Sequence, residues 1–365
     1  MGHYILKRLL LIFPTILGIL TVTFLIVQFT PGGPVEIMVG RMQAMMQQHG
    51  NRALSASAEQ STAEQAQAAT TSHYRGSEGL DPVFIQELKK QFGFDKPPLQ
   101  RYFKMLWDFL RFDFGHSFFK GRTVLQLIGD ALPVSLSLGF WQLFFAYLIA
   151  IPLGIRKAVR DGSRFDVWTS LLIIVSYAVP PFIFGILLLL FFAGGSFYNI
   201  FPLGHLLSDN FSHLSLLGKI GDYVWHLTLP VLSMVIYSFA SVTFLTKNCF
   251  LEELSKQYVI TARAKGVTER RILYHHVFRN AILVVISGFP AAFIAAFFTG
   301  AILIETTFSL NGLGLLGFDA VVSRDYPVVF GTLFIFSLLG LLLNLLGDIA
   351  CTLIDPRIDF EKRDV

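Results

Sequence analysis

The chain has 365 residues, of which 53% are hydrophobic, 37 are Phe and only 15% are charged. Soluble domains carry about a quarter of charged residues, so the composition excludes a soluble globular protein and predicts one that lives in a membrane. The formal net charge of +4 comes from cations crowded into a few short loops, a mark of membrane orientation rather than of nucleic-acid binding.

Apolar runs close to the roughly 20 residues that span a bilayer fall at residues 9–29, 134–155, 167–193, 226–246, 282–304 and 328–353. They are continuous and do not alternate every second residue, so they predict six transmembrane helices of an all-α polytopic membrane protein and not a β-barrel. Lys7 and Arg8 precede the first run, Arg156, Lys157, Arg160 and Arg164 crowd the second connection, and Lys247, Lys256, Arg263, Lys265, Arg270, Arg271 and Arg279 lie in the fourth. The third and fifth connections carry only Lys219 and Arg324. That asymmetry predicts both termini in the cytoplasm. The first run is too long for a signal-peptide core and lacks a small-residue cleavage site, so it reads as an uncleaved anchor.

Pro31-Gly32-Gly33-Pro34 ends the first helix, and residues 42–79, rich in Gln, Ala, Ser and Thr, hold too few apolar side chains for a core and read as mobile or as a weak helix. Order is expected again where Asp81 can cap a helix starting at Pro82, followed by a second amphipathic helix through Tyr102, Phe103, Leu106, Trp107, Phe109 and Leu110. Its aromatic weight suits a membrane interface. Asp161 to Asp166 is a short basic turn.

Pro180-Pro181 falls inside the third run and removes backbone donors, which predicts a break or kink. Non-helical backbone at that depth is tolerated where protein or a watery cavity satisfies it, so Pro180 and Pro181 are candidate pathway residues; a kink without a transport role is the plainer alternative. Pro290, beside Ser287 and Gly288 in the fifth run, invites the same reading. The connection between the third and fourth runs has Phe197, Tyr198 and Phe201 at one edge and Tyr223 and Trp225 at the other, as an aromatic belt would.

The polar island between the fourth and fifth runs is the most informative stretch. Good helix formers over residues 257–264 lead to Gly266, a left-handed stop, after which Thr268 and Glu269 restart a helix with a cap and an acidic first turn. The pattern predicts helix, elbow, helix. Ala262 and Gly266, four apart, would leave one face bare, flanked by Arg263, Lys265, Arg270 and Arg271: a docking shape, or else an ordinary basic loop. Beyond it, Gly312-Leu313-Gly314-Leu315-Leu316-Gly317 has the letters of a dinucleotide fingerprint but follows a membrane helix and opens no strand–helix unit, so it is rejected as a cofactor site. Asn344 and Asp348 lie one turn apart on the last run, and an intramembrane carboxylate is a functional candidate by default. Cys249 and Cys351 are expected as free thiols.

The run Thr261-Ala262-Arg263-Ala264-Lys265-Gly266, followed by His276 and Arg279-Asn280-Ala281, resembles the coupling loop of importer-type ABC permeases in the spelling of the dipeptide and oligopeptide branch. Where the general motif has Glu-Ala-Ala, this chain has Ile260-Thr261-Ala262, and His276 and Arg279 stand where it has Ile and Pro, a departure shared with the peptide branch. The segments Gly93 to Pro97, Asp113 to Ser117, Ser163 to Trp168, Glu305 to Phe308, Ser323 to Pro327 and Asp355 to Phe360 are similar to that branch as well.

The resemblance implies the type I importer permease (MetI-like) fold with a large periplasmic insertion after the first helix. Residues 1–30 would be an anchor, 31–133 periplasmic with amphipathic helices over 80–120, 134–354 the permease core with a coupling loop at 247–281, and 355–365 a cytoplasmic tail. It implies a bacterial inner-membrane subunit that imports oligopeptides, microcin C-type peptides among them, by alternating access. Thr261, Ala262, Arg263, Ala264, Lys265, Gly266 and Val267 would couple to an ATPase, supported by Glu269, His276, Arg279 and Asn280. Pro180, Pro181, Ser287, Pro290, Glu305 and Phe308 are candidates for the pathway or gate.

No Gly-x-x-x-x-Gly-Lys-Ser/Thr run occurs in the chain, so ATP and Mg would bind a separate ABC ATPase, and this chain would hold no cofactor or metal and catalyse nothing. A second homologous permease, a periplasmic peptide-binding protein, the peptide and membrane lipid are the other partners implied. A stand-alone proton-coupled transporter using Asp348 and Glu305 is the alternative. A membrane enzyme would need a nucleophile and base or paired aspartates within the spans, and the sequence offers no such pair.

Overall fold

A computed structural model of the chain describes residues 2–29, 95–194, 197–289, 292 and 301–354. The stretch 42–79, the helix expected from Pro82, the glycine–proline stop at 31–34, Pro290 and the tail 355–365 lie outside the described residues. The described part is helical: α1 Gly2–Phe29, α2 Pro98–Leu110, α3 Val124–Val159, α4 Arg164–Ala178, α5 Pro181–Phe192, α6 Leu216–Leu254, α7 Gln257–Ala264, α8 Phe278–Ser287, α9 Ala301–Thr307, α10 Leu313–Ser323 and α11 Tyr326–Ile354. Four of these, α1, α3, α6 and α11, are long and apolar enough to cross a bilayer; α4 and α5, bent by 90° at the break between them, pass the same test only as a pair, as one broken span or a re-entrant loop. Of the sixth expected span, residues 282–304, the described residues are 282–289, 292 and 301–304, including parts of α8 and α9.

Helix boundaries and apolar runs do not coincide. The second run begins at residue 134, yet α3 starts ten residues earlier, at a capping box in which Thr123 Oγ1 accepts from the Gln126 N–H (3.3 Å) and Gln126 Oε1 from the Thr123 N–H (3.4 Å). Pro133 and Pro152 sit inside α3 and Pro230 inside α6 without ending either helix. Pro180-Pro181 does break its span: Pro180 takes an extended ψ of 139°, Pro181 opens α5 at the position where a missing N–H costs nothing, and the Phe184 N–H returns to the Pro180 carbonyl.

The chain folds into two compact units, one of residues 1–13, 128–316 and 335–365, the other of 14–127 and 317–334. In the first, α6 is the spine, touching α4, α5 and α8. The half of it that carries Leu227 and Met234 shares a core with Leu138, Leu188, Ile304 and Phe308, and its basic end, with Phe250, shares another with Ile155, Val259, Ile272, Val277 and Ala281. At the crossing of α3 and α6, Gly154 has no room for a β-carbon, which would fall 2.6 Å from Thr246 Cβ. Small residues at such crossings let membrane helices approach closely.

Lys157, counted by its charge among the exposed loop cations, is instead completely buried in the last turn of α3. Its ammonium protons reach the Asp166 carbonyl (2.9 Å), Thr169 Oγ1 (2.8 Å) and Ser170 Oγ (2.7 Å), with Asp166 Oδ1 at 2.9 Å. Asp166 Oδ2 in turn meets Lys247 Nζ of α6 (2.7 Å), which also reaches Asp161 (2.8 Å). Burying a cation is tolerated when it is paired and hydrogen-bonded, and here the pairing ties α3, α4 and α6 at one end.

Glu305 and Phe308, the gate candidates, are both fully buried. Glu305 Oε1 accepts from Ser135 Oγ (2.9 Å) and Oε2 from the Leu315 N–H (2.6 Å), while Ser135 Oγ accepts from the Leu313 N–H (2.8 Å). The carboxylate therefore caps the start of α10, where a negative charge is favoured. Gly312, in the run rejected as a cofactor site, is required by packing, since a β-carbon there would fall inside the Glu305 carboxylate. Gly312→Ala is expected to destabilise the purified protein by about 1–3 kcal/mol, read as a lowered unfolding midpoint in detergent. Glu305→Ala in the same chain removes the obstructing atoms, so the double variant should lose less than the sum of the two singles; strict additivity would show that the clash is not what matters.

In the second unit, α2 is the aromatic amphipathic helix expected from the sequence. Leu99, Phe103, Trp107 and Leu110 are exposed along one side while Phe109 is buried against Phe114 and Phe334. Two separately noted sequence segments meet there: Ser117 Oγ donates to Asp325 Oδ2 (2.5 Å) and the Phe118 N–H to Oδ1 (3.0 Å).

Candidate functional site

The polar island folds as helix, elbow, helix. Helix α7 ends at Ala264 with Lys265 as its cap, and Gly266 adopts φ +75°, the left-handed conformation that favours glycine. The Gly266 N–H bonds the Arg263 carbonyl (2.9 Å) and the Val267 N–H bonds the Ala262 carbonyl (3.2 Å). These two bonds form a Schellman stop, a motif usually accompanied by an apolar contact between its first and last residues. Those residues are Ala262 and Val267, and both lean half-buried onto the core of Phe250, Val259, Ile272 and Val277.

This corrects the bare face expected from the four-residue spacing of Ala262 and Gly266. Helical periodicity stops at Lys265, so Gly266 does not stack over Ala262. The exposed apex consists of Thr261, Arg263, Ala264, Lys265 and Gly266, while Ala262 and Val267 hold it to the protein.

Thr268 occupies the cap position of the next turn, but its side chain makes no capping bond. Glu269 also differs from its expected part. Its carboxylate takes the Arg263 guanidinium in both hands, Nε to Oε1 at 2.7 Å and Nη2 to Oε2 at 3.1 Å, stapling the two arms of the elbow. The guanidinium holds the Glu269 carboxyl below its ordinary value, so the staple is charged at neutral pH and opens only as the pH falls through that lowered value. Residues Ile272–Val277 then form a π-helical segment leading into α8. Arg270, Arg271, Tyr274, His275, His276 and Arg279 are exposed beside it.

Beneath the elbow lies a residue that the sequence reading passed over. Glu253, buried at the end of α6, accepts from Tyr258 Oη (2.9 Å) and Asn280 Nδ2 (2.9 Å) through Oε1, and from Lys256 Nζ (2.5 Å) through Oε2. Burial and this carboxylate push the Tyr258 phenol up to about 12, so it stays a neutral donor. One side chain thus joins α6, α7 and α8. Its signal in the sequence was an acidic residue, Glu253, standing just ahead of a run of cations with Asn280 far downstream, a pairing that spacing does not reveal.

Glu253→Ala would remove the charged acceptor shared by the half-buried Tyr258 phenol and the Asn280 amide, at a cost of about 1–3 kcal/mol. Amide exchange over residues 256–280 is then expected to accelerate about tenfold or more. Unchanged exchange would show that the elbow is held by its apolar core alone.

The remaining candidates are dispersed. Pro180 and Ser287 are exposed, Pro181 is half-buried, and Phe308 packs its ring on Gly185 of α5. Asp348, a candidate for proton coupling, lies 3.3 Å from the Arg8 guanidinium.

Residues 150–360 match the family described as binding-protein-dependent transport system inner membrane component. The chain is 59% identical over 365 residues to the peptidoglycan transport system permease protein YejB of Agrobacterium fabrum, covering all of both chains. It is 58% identical over 369 residues to the inner membrane ABC transporter permease protein YejB of Escherichia coli O157:H7, again covering all of both. The dipeptide transport system permease protein DppB of Escherichia coli K12 is 30% identical over 378 residues, covering 99% of this chain and all of the relative.

Proposed function

Because the chain belongs to the family of binding-protein-dependent transport system inner membrane components, we propose that it carries oligopeptides inward across the bacterial inner membrane, both termini in the cytoplasm and the basic elbow facing a separate ATPase. It is a permease subunit of an ABC peptide transporter and not an enzyme; ATP is hydrolysed by another subunit. In this reading the partners are a second homologous permease, the cytoplasmic ABC ATPase with its ATP and Mg, and a periplasmic peptide-binding protein. This chain itself holds no nucleotide or metal. Closure of the ATPase would displace the elbow and shift the spans between inward- and outward-open arrangements.

The observation that carries the coupling part is the build of the elbow. An exposed apex of Arg263, Lys265 and Gly266 is braced by the Arg263–Glu269 staple and joined to the spine helix through Glu253. A load applied there reaches α6 and α8 through fixed contacts. Orientation is supported by the cations gathered at that end of the spans. The proton-coupled alternative is weakened by the ion pair that engages Asp348.

The test is reconstitution in liposomes. Uptake of an oligopeptide should require the second permease, ATPase, ATP and binding protein together; uptake by the lone chain driven by a pH gradient would overturn the assignment. A second reading of the substrate comes from the Agrobacterium relative, whose name is that of a peptidoglycan transport permease. Competition of labelled oligopeptide uptake by peptidoglycan-derived peptides and by microcin C-type peptides separates these substrates.

A further inference from the structure

Two tyrosines occupy an unusual place in the first unit. Tyr177 is in the last turn of α4, just before the Pro180-Pro181 break, and Tyr237 is in the middle of α6. Their rings are stacked, centroids 4.7 Å apart at 14°, with the two hydroxyls 3.2 Å apart. They are nonetheless 46% and 42% exposed.

Their depth follows from the ion pair that pins the ends of their helices together. Lys247 and Asp166 meet at 2.7 Å, and Tyr237 and Tyr177 lie ten and eleven residues away along α6 and α4. At 1.5 Å per residue they stand about 15 and 16.5 Å along their helices from that anchor, which, with the anchor taken as the edge of the hydrocarbon, is about half its roughly 30 Å thickness.

Tyrosine favours the membrane–water interfaces, where ring and hydroxyl are both accommodated. At mid-depth a phenol facing lipid has no hydrogen-bond partner beyond the protein, and a pair can satisfy only part of its own capacity by bonding to itself. Two further features point away from lipid. Toward the basic end of α6, Ser241 and Asn248 are exposed within about 40° of Tyr237 around the helix, with the half-buried Phe244 between them, so polar groups recur along that face. The break at Pro180, exposed beside Tyr177, is a backbone irregularity of the kind found where a cavity or protein supports it.

We infer that the stacked Tyr177–Tyr237 pair lines the aqueous passage at mid-membrane, where its hydroxyls hydrogen-bond the backbone amides of a passing peptide. The inference rests on the importer reading for its ligand, but not for the water that it places at the pair. Flat aromatic faces with a polar tip accept many side chains while bonding the one group common to all peptides, the amide.

Cysteine accessibility in the assembled importer tests it. In a chain with Cys249→Ser and Cys351→Ser, Tyr177→Cys and Tyr237→Cys are made separately and reconstituted with the partner subunits in liposomes. A charged, membrane-impermeant thiol reagent is expected to modify both, and trialanine with binding protein and ATP to slow modification severalfold. Modification only by a lipid-soluble maleimide would place the pair against lipid, and resistance to both reagents would bury it against the second permease; either overturns the proposal. Labelling does not depend on uptake, so an aqueous pair in an assembly that imports no peptide would sink the importer reading and leave the passage standing. Where import is measurable, Tyr177→Phe with Tyr237→Phe should raise the peptide KM about tenfold, as expected for two lost hydrogen bonds. An unchanged KM would remove the amide contact.

Discussion

Gly266→Trp is expected to cut ATP-driven uptake by about tenfold or more while leaving the chain folded and inserted. Gly266 holds φ +75°, and a β-carbon there would meet nothing within 4 Å. A side chain is thus strained by the backbone, by about 1–2 kcal/mol, but obstructed by no atom of the chain. That strain is too small to unfold a protein of this size, and it is shared by every L-residue. The indole, however, would stand on the exposed apex between Arg263 and Lys265, where the ATPase is proposed to seat. Gly266→Ala is therefore the informative companion, having the same strain with only a methyl group. Uptake should fall about tenfold or more with Trp and far less with Ala, at equal membrane insertion and equal unfolding midpoints. Equal losses for the two would assign the effect to the turn, and full uptake with Trp would remove the apex from coupling.

The second large effect is expected at Lys157. Lys157→Met keeps the volume of the stem but removes the ammonium from a place with no access to solvent. The Asp166 carbonyl and the Thr169 and Ser170 hydroxyls lose their donor, and the Asp166 carboxylate keeps only Lys247 and the Gly162 N–H (3.2 Å). Breaking a buried ion pair from one side costs about 3–5 kcal/mol, more than any other single change considered, and should appear as a large fall in the unfolding midpoint of the detergent-solubilised protein. The double variant Lys157→Met with Asp166→Asn removes the stranded charge and should recover part of the loss. Wild-type stability of Lys157→Met would show that the ammonium is not what binds α3 to α4.

The two residues show where reading the sequence succeeds and where it stops. Gly266 was legible because its requirement is local: a helix ending in a positive φ needs glycine, and the letters on either side give the helix and its restart. The same holds for Pro180-Pro181, whose missing donors predict a break wherever the fold puts them, and for α2, whose aromatic periodicity needs no knowledge of its neighbours.

Lys157 was misread because hydropathy and the loop-charge rule assign a cation to solvent, and only a carboxylate on another helix makes its burial possible. Glu253 with Asn280, Glu305 with Gly312, and Ser117 with Asp325 are of the same kind. Each joins residues whose pairing is set by helix packing, and periodicity reports how much of a side chain is covered, not by what. Helix lengths escaped for another reason: apolar runs record where hydrocarbon ends, whereas Thr123 and Gln126 record where backbone donors find partners.

The π-wound stretch between the stapled elbow and α8 has a mechanical corollary. Hydrogen bonds that reach five residues back rather than four make a wider coil, so residues beyond Val277 sit at a different azimuth from the one ordinary winding would give them. Were those six residues to rewind into an α-helix, α8 would swivel about its own axis even if the elbow scarcely moved. Under the proposed coupling, a shove at the apex would thus leave the loop as torque, turning the polar and apolar sides of the helix like a key.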